Sequence, residues 1–573
     1  MPLEIRDLRA LEGPNIYSFQ PTVKLQIWAD RDISPAINDT VKTWAQQVGV
    51  VIAALRHDVR PVDDGFVITT TWTTPLPNVG ERIAEGVAAD LVAADQRDKE
   101  YSHDEALFAA IDERKREEPS LQQLQLYAEA RARDLPMLPR GDGTVMIGTG
   151  ARGWVLDPTV LSLGISVEVP WEQVGTIPVV AVTGTNGKTT TVRLITHVLR
   201  GIGLRVGTTN TDGVLIDGQQ VEEGDWAGWA GARRVLTDPG VDIAVLETSR
   251  GGILRRGLGF NSCNVSVITN ISPDHLGEFD IETPEQMAHV KGLIVRVTLP
   301  DGFTILNADD PLVLALGEQS PAQVVLFSSN PENPAIHAHQ AIGGAFVRSD
   351  GTQVEVDFQD QQGQFALADI PITVGGAALH NVQNMLAATA ACLSLGIPLP
   401  TIVAALQTFK PDASHNANRL NLFERDTMLA AFDYAHNEAG LLALLRFGEQ
   451  LQQRRGGRLL LILGGPGDRP DEQIREQGRI AGSTVDLLLL HEEERYLRGR
   501  EMGEATTIYR EGAEAAGLPA DRILAFPDEI AALDAALQTI QPGDVLLIAA
   551  HAHRDTMLDR LQRWANGEPR AES

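Results

Sequence analysis

The 573-residue chain carries 48 Lys and Arg against 77 Asp and Glu, a formal net charge of −29. That acidity argues against a nucleic-acid or anionic-membrane partner, because phosphate backbones and lipid headgroups need a basic surface, although a local pocket can still take a nucleotide. Hydrophobic residues at 43% and charged residues at 22% exclude disorder and coiled coil, and the length predicts about three to four domains.

Cys263 and Cys392 are far apart in the chain, which excludes a disulfide scaffold and a CxxC zinc site and fits a reducing compartment. Met1 to Asp7 has no cationic or apolar leader region, and no run of about 18 apolar residues occurs. The expected location is the cytoplasm, without membrane association.

Residues 1–115 are expected to form a small α+β domain. Phe66 to Trp72 is rich in β-formers, and Ile83, Val87 and Leu91 recur at helical spacing. Residues 116–176 are expected to be a connector with a short helical stretch from Leu121 to Arg133. Its Gly148-Thr149-Gly150-Ala151-Arg152-Gly153 has dinucleotide-loop spacing, but Trp154 to Pro158 cannot open the required helix, so a turn is expected. From Ile177 onward short β-branched runs alternate with helical segments, among them Val179–Val182, Ile243–Leu246, Val265–Thr269, Phe303–Leu306 and Val324–Phe327. The rhythm resumes at Leu429–Phe432, Leu459–Leu463, Leu487–Leu490 and Val545–Ile548. Strand–helix alternation predicts parallel sheets covered by helices, in domains spanning 177–410 and 411–573.

The strongest chemical signal is Val179-Val180-Ala181-Val182-Thr183-Gly184-Thr185-Asn186-Gly187-Lys188-Thr189-Thr190. A buried strand enters a glycine turn, then Lys-Thr, then a helix carrying Val192, Ile195 and Leu199. Glycines let backbone N–H groups approach phosphate oxygens at a positive helix end. Lys188 can reach the outer phosphates and the Thr189 hydroxyl can hold Mg²⁺. The spacing is shortened: Val182 stands where the common phosphate loop has its first glycine.

This shortened loop resembles the ATP site of the Mur ligase superfamily. The resemblance implies ATP contacts from Gly184, Thr185, Asn186, Gly187, Lys188, Thr189 and Thr190. It also places Glu247 as a metal-binding glutamate, and His275, in Thr269-Asn270-Ile271-Ser272-Pro273-Asp274-His275-Leu276, as holder of a second Mg²⁺. Lys291 falls where the family often carries a carbamylated, metal-bridging lysine, ahead of Asn307 to Asp310. His380-Asn381-Val382-Gln383-Asn384 resembles a segment whose Asn384 meets the nucleotide. Arg419 would reach the phosphates, and Asp433-Tyr434-Ala435-His436-Asn437 resembles the start of the last domain. The implied fold is α/β: a P-loop central domain and a Rossmann-like C-terminal domain, preceded by the small α+β domain.

Leu246 to Arg255, Thr211-Asp212-Gly213, Gly464 to Arg469, Leu497 to Arg500 and Leu11 to Tyr17 are similar to cyanophycin synthetases, whose ATP-grasp unit the short connector cannot house. The resemblance implies an ATP- and Mg²⁺-dependent ligase joining an amino acid, with arginine leading, to a carboxylate acceptor through an acyl phosphate. Lys188, Lys291 and Arg419 would be catalytic, and Asp433, His436, Asn437, Asp468 and Arg469 would meet substrate. A separate enzyme supplying the acceptor and a homo-oligomer fit this reading. The alternative is a non-catalytic nucleotide- or polymer-binding partner subunit. The pairs His551/His553 and His337/His339 could be metal pairs, but no carboxylate or third His completes either pattern, and they are expected to be solvated. Glu492-Glu493-Glu494 is expected to be a solvated face that could contact a cationic substrate.

Overall fold

The computed structural model describes residues 3–157, 159–160, 167–274, 276–435, 437–549 and 552–568. Two compact units emerge, Met1–Gly184 with Leu199–Val325, and Thr185–Val198 with Leu326–Ser573. Among the described residues no helix is long and apolar enough to cross a membrane.

The first unit opens with β1 (Glu4–Leu11), β2 (Thr22–Ala29), β3 (Ala53–Val62) and β4 (Gly65–Thr73), an antiparallel sheet in the order β1-β2-β4-β3. Helix Ser34–Val48 buries Ile37, Val41, Trp44 and Val48, one apolar stripe at helical spacing, and ends at Gly49 in the left-handed conformation. Helix Pro77–Gln96 adds Ile83 and Val87 to the same core, with Leu91 packed at its margin. The expected strand and helix are present. β3 was not legible as a strand because its Arg56, Asp58 and Arg60 give it little apolar signal.

The connector holds helix Leu121–Arg131, started by a Ser120/Gln123 capping box, then β5 (Met137–Pro139), β6 (Val145–Ile147) and β7 (Trp154–Leu156) in one small antiparallel sheet. The Gly148–Gly153 stretch is a turn between β6 and β7, with a single short 3-10 segment at Gly150–Arg152. Its amides are used internally: Ala151 N–H donates to the Val241 carbonyl at 2.7 Å and Thr149 N–H to that of Gly175 at 3.0 Å.

The larger sheet of this unit contains β8 (Val179–Thr183), β9 (Val206–Asn210), β10 (Gly213–Ile216), β11 (Gln219–Glu223), β12 (Ile243–Glu247), β13 (Cys263–Ile268) and β14 (Thr298–Asn307). They run in the order β11-β10-β9-β12-β8-β13-β14. β9, β12, β8, β13 and β14 are parallel, whereas β10 and β11 are antiparallel additions. β8 and β12 are buried along their whole length, as continuous apolar runs require in a sheet covered on both faces.

The Leu11–Tyr17 segment docks on helix Arg250–Arg256. Glu12 N–H donates to the Arg256 carbonyl at 2.9 Å and Leu258 N–H to that of Pro14 at 2.8 Å. Asn15, 2% exposed, donates to the Gly13 and Gln20 carbonyls and the Thr22 hydroxyl, and accepts from the amides of Tyr17 and Ser18. Two segments that resemble cyanophycin synthetases thus meet in one structural joint.

The chain enters the second unit within β15 (Gln323–Ser328), and then forms the antiparallel meander β16 (Ala345–Ser349), β17 (Gln353–Phe358) and β18 (Gln361–Ala366). Helix Leu379–Ser394 is buried along most of its length. The C-terminal sheet comprises β19 (Asn421–Arg425), β20 (Met428–Asp433), β21 (Leu459–Leu463), β22 (Leu487–His491), β23 (Ile523–Phe526) and β24 (Val545–Ala549). Their order is β19-β20-β24-β21-β22-β23, parallel except for β19. Separate apolar clusters cover its two faces, the doubly covered pattern of a Rossmann-like sheet. The four apolar runs expected after residue 425 are β20, β21, β22 and β24. β19 and the meander are not legible as strands in the sequence because they are short and interrupted by polar or charged residues.

A Cβ on Gly13 would overlap the Leu258 carbonyl, whereas Gly141 has open space. Gly13→Ala should therefore lower the thermal unfolding temperature of the first unit, by overpacking worth about 1–3 kcal/mol, and Gly141→Ala should not. Paired thermal melts of the two variants check this.

Candidate nucleotide site

In the first unit, register places the chemistry at the ends of three adjacent strands. β8 lies between β12 and β13, with Glu247 opposite Val182 and Ile268 opposite Thr183. Glu247 is 1% exposed. The Thr183 hydroxyl donates to the Thr248 carbonyl at 2.6 Å, and Thr269 N–H donates to the Thr183 carbonyl at 3.0 Å. The segment after β13 is secured from Asn307 to Asp310. Asn307 Nδ2 donates to the Thr269 carbonyl at 2.8 Å, and Asp310 accepts from Ile271 N–H at 2.6 Å while capping the helix at Pro311.

Lys291 ends helix Pro284–Lys291 and is 4% exposed. Its Nζ donates to the Gly184 carbonyl at 2.7 Å. Its Nζ is used here as a donor, and a protonated lysine has no lone pair to offer a metal. His275 lies outside the described residues.

In the second unit, the loop Thr185–Gly187 leads into helix Lys188–Gly201. Lys188 Nζ donates to the Thr185 carbonyl at 2.9 Å, which folds this lysine back along its own loop. Gly187 has φ +87, and a Cβ there would overlap Asn384 Oδ1. Asn384 is 4% exposed and receives Thr191 Oγ1 at 3.5 Å, while its Nδ2 donates to Asn381 Oδ1 at 3.2 Å. Asn384 thus buttresses the loop from beneath. Neighbouring His380 is half-buried, and loss of hydration around its ring pushes its pKa down to about 4, which keeps it neutral.

The loop is also tied to the C-terminal sheet. Asn186 and Asn437 exchange two side-chain hydrogen bonds, each of 3.2 Å. Asn437 Oδ1 also accepts Gly440 N–H at 2.9 Å as N-cap of helix Glu438–Arg455. Asn416, fully buried, donates to the Thr190 hydroxyl at 3.4 Å and the Arg419 carbonyl at 2.9 Å, and accepts from Arg193 at 3.3 Å. Arg419 stacks on the Tyr434 ring at 4.5 Å and donates to the Asn418 carbonyl. Sequence reasoning missed Asn416 and Arg193. The signal was available in Asn416's position three residues before Arg419, but a lone asparagine carries no chemical pattern.

Asp433 ends β20 and accepts Leu420 N–H at 2.7 Å. Burial raises its pKa to about 6, against the lowering effect of Arg419. His436 lies outside the described residues. Asp468 pairs with Arg498 at 2.7 Å, and Arg469 meets Gln477 at 3.2 Å. These two are held in a loop network with Arg500, which donates to the carbonyls of Gly467 and Arg469.

Two expectations are corrected. Glu492 and Glu493 are buried, at 4% and 8% exposure, and only Glu494 is exposed, so the triplet is no solvated face. Glu492 accepts from Gly503 and Thr506 N–H, each at 2.6 Å. Glu493 sits 3.1 Å from His553 Nε2, so a carboxylate does reach this histidine, brought there by chain segments 60 residues apart. His551 lies outside the described residues. His337 is exposed.

Two predictions follow from this geometry. Gly187→Ala forces a left-handed backbone and a collision on the loop, a strain of about 1–3 kcal/mol. ATP affinity in titration calorimetry should fall about tenfold or more. For Asp433, the folded pKa of about 6 lies above the ordinary 3.8, so between these values the unfolded chain has lost a proton that the folded chain keeps. The stabilisation is full below 3.8 and is lost as pH rises through 6. Asp433→Asn, which stays neutral, should remove a stability decrease of up to about 3 kcal/mol over that window, read from denaturant midpoints at pH 4.5 and 7.

Residues 2–326 match the family described as Domain of unknown function (DUF4938), and residues 418–552 match the Mur ligase glutamate ligase domain. The chain is 41% identical over 384 residues to the cyanophycin synthetase of Crocosphaera subtropica, covering 66% of this chain and 43% of that protein. It is 40% identical to that of Synechocystis sp., covering 65% and 42%. It thus spans less than half the length of these relatives. The UDP-N-acetylmuramoyl-L-alanyl-D-glutamate–2,6-diaminopimelate ligase of Chlorobium phaeobacteroides is 28% identical, covering 65% of this chain and 71% of that one. The chain therefore belongs to the DUF4938 family and is a Mur-ligase-like protein of α/β fold.

Proposed function

We propose that the protein is an ATP-dependent amide ligase that joins an amino acid, with arginine the leading amine, to a carboxylate acceptor. The observation that carries this reading is the reciprocal Asn186–Asn437 pair. It ties a nucleotide-type loop to the helix that opens beside the sheet matching a glutamate ligase domain. A loop that served only to bind nucleotide would have no need of that coupling. The resemblance to cyanophycin synthetases supports arginine, and the cytoplasm as the place of action. The proposed domains are 1–115, 116–176, 177–410 and 411–573.

The acceptor carboxylate would attack the γ-phosphorus of ATP, forming a C–O–P bond as the bridge to the β-phosphate breaks and ADP leaves. The neutral amine would then attack the acyl carbon, lose a proton, and expel phosphate. Two anions must approach one another in the first step, so cationic groups are required to screen them. Lys188 and Arg419 would serve the phosphates, the latter held in place by Tyr434. Gly184 to Thr190 would wrap them, with Asn384 supporting the loop. Mg²⁺ prefers oxygen donors, which the Thr189 hydroxyl and Glu247 carboxylate each offer, and when bound it would neutralise phosphate charge. Lys291 could join a metal set only as the carbamate, which would turn its donating Nζ into an anionic oxygen ligand. Asp433, Asn437, Asp468 and Arg469 are proposed to meet the amino acid or acceptor, which a separate enzyme would supply.

Only one phosphate loop is proposed, so one activation and one kind of bond are expected. Purified protein incubated with ATP, Mg²⁺, single amino acids and carboxylate acceptors, a short cyanophycin primer among them, should release ADP only when both substrates are present. Lys188→Ala should lower that turnover about 100-fold or more. Mass spectrometry should show at most one residue added per free carboxylate. A ladder growing by Asp-Arg units would overturn the single-site reading, and absence of ADP release with every pair would favour a non-catalytic binding subunit.

A further inference from the structure

His491 ends β22. It is 2% exposed, and among the described residues neither ring nitrogen has a hydrogen-bond partner. A buried imidazole left in this state forfeits its hydration without return, so its surroundings matter. Glu493 and Glu529 each bring a carboxylate oxygen, and one atom from each of the three side chains lies within 4.8 Å of the others. Glu529 is fully buried at the start of helix Glu529–Thr539.

Both carboxylates are oriented by the backbone. Glu493 Oε1 accepts Glu529 N–H at 2.9 Å. The Glu529 carboxylate accepts Ala552 N–H at 3.0 Å and His553 N–H at 2.9 Å. Glu493 Oε2 faces His553 Nε2 at 3.1 Å. A carboxylate has about four lone-pair sites, so these bonds fix the direction of both groups and leave Glu493 with acceptor capacity. Hydrogen bonds to the backbone are one means by which metal centres hold their ligating side chains in place.

Two carboxylates so close together in a buried space repel unless positive charge lies between them. A proton on His491 would answer one of the two charges. A divalent ion would answer both and give the imidazole its missing partner. One imidazole nitrogen with two carboxylate oxygens suits zinc or manganese, which accept mixed N and O ligands, better than Mg²⁺, which favours oxygen and its own waters. We propose that His491, Glu493 and Glu529 bind one divalent ion of the zinc or manganese class. The ion would cross-link the end of β22, the first turn of helix Glu529–Thr539 and, through Glu529, the Ala552–His553 segment. This site stands independently of the ligase reading.

The test uses full-length protein stripped with a chelator, desalted, and dialysed without nucleotide against ZnCl₂ or MnCl₂. Mass-spectrometric metal analysis should find one equivalent per chain, with a raised melting temperature. Glu493→Gln and His491→Asn should weaken binding at least about tenfold, whereas Lys188→Ala should leave stoichiometry unchanged. If either variant fails to fold by circular dichroism, X-ray absorption of the metal-loaded wild type decides, with one imidazole and oxygen ligands expected. The proposal is overturned by absence of saturable binding, by undiminished binding in folded variants, or by sulfur or several imidazoles in the ligand shell. Protection of the fold by arginine or guanidinium but not by metal would also overturn it, in favour of a cationic-substrate pocket.

Discussion

Parallel pairing of β8 with β12 on one side and β13 on the other is the constraint from which the first unit's chemistry follows. Because parallel strands share a direction and their registers are fixed by the ladder, Gly184, Glu247-Thr248 and Thr269-Asn270 arrive at one edge together. Slipping β12 by one residue would turn the Glu247 side chain to the opposite face. Full burial of β8 and β12 makes such a slip costly, since each strand presents apolar groups on both sides. The polar groups at that edge then satisfy one another: Thr183 with Thr248, Thr269 with Thr183 and Asn307, and Lys291 with the Gly184 carbonyl.

In the second unit the organising element is a set of asparagines. Asn186 with Asn437, Asn384 beneath Gly187, and Asn416 beside Thr190 and Arg193 lock the loop and the first turn of its helix. An amide both donates and accepts, so two of them form a closed pair whose loss leaves groups unsatisfied on both sides. Such contacts hold a loop in one geometry without placing charge in it, which leaves its positive ends available to an anion.

The acidic cluster near His491 shows where local pattern fails. Glu492-Glu493-Glu494 reads in sequence as a charged run, and such runs are usually exposed. Here β22 ends at His491, and the next two side chains turn inward to the amides of Gly503, Thr506 and Glu529. Nothing near Glu493 in sequence names Glu529 or His553 as its neighbours.

What the sequence by itself determined was local and covalent. The apolar runs of β8, β12, β13, β20, β21, β22 and β24, the helix stripes and the glycine–lysine–threonine loop all follow from periodicity and neighbouring residues, and the resemblance to Mur ligases rested on those stretches. The turn at Gly148–Gly153 was legible for the same reason, since no helix could open after it. Tertiary structure alone decided which polar groups meet. Asn186 and Asn437 stand 251 residues apart, and Lys291 reaches Gly184 across 107. It also decided that Asn384 supports the loop from below and that Glu493 is buried. A hydrogen bond depends on where two backbones are placed, and that placement is set by strand order and register, which no short stretch of sequence contains.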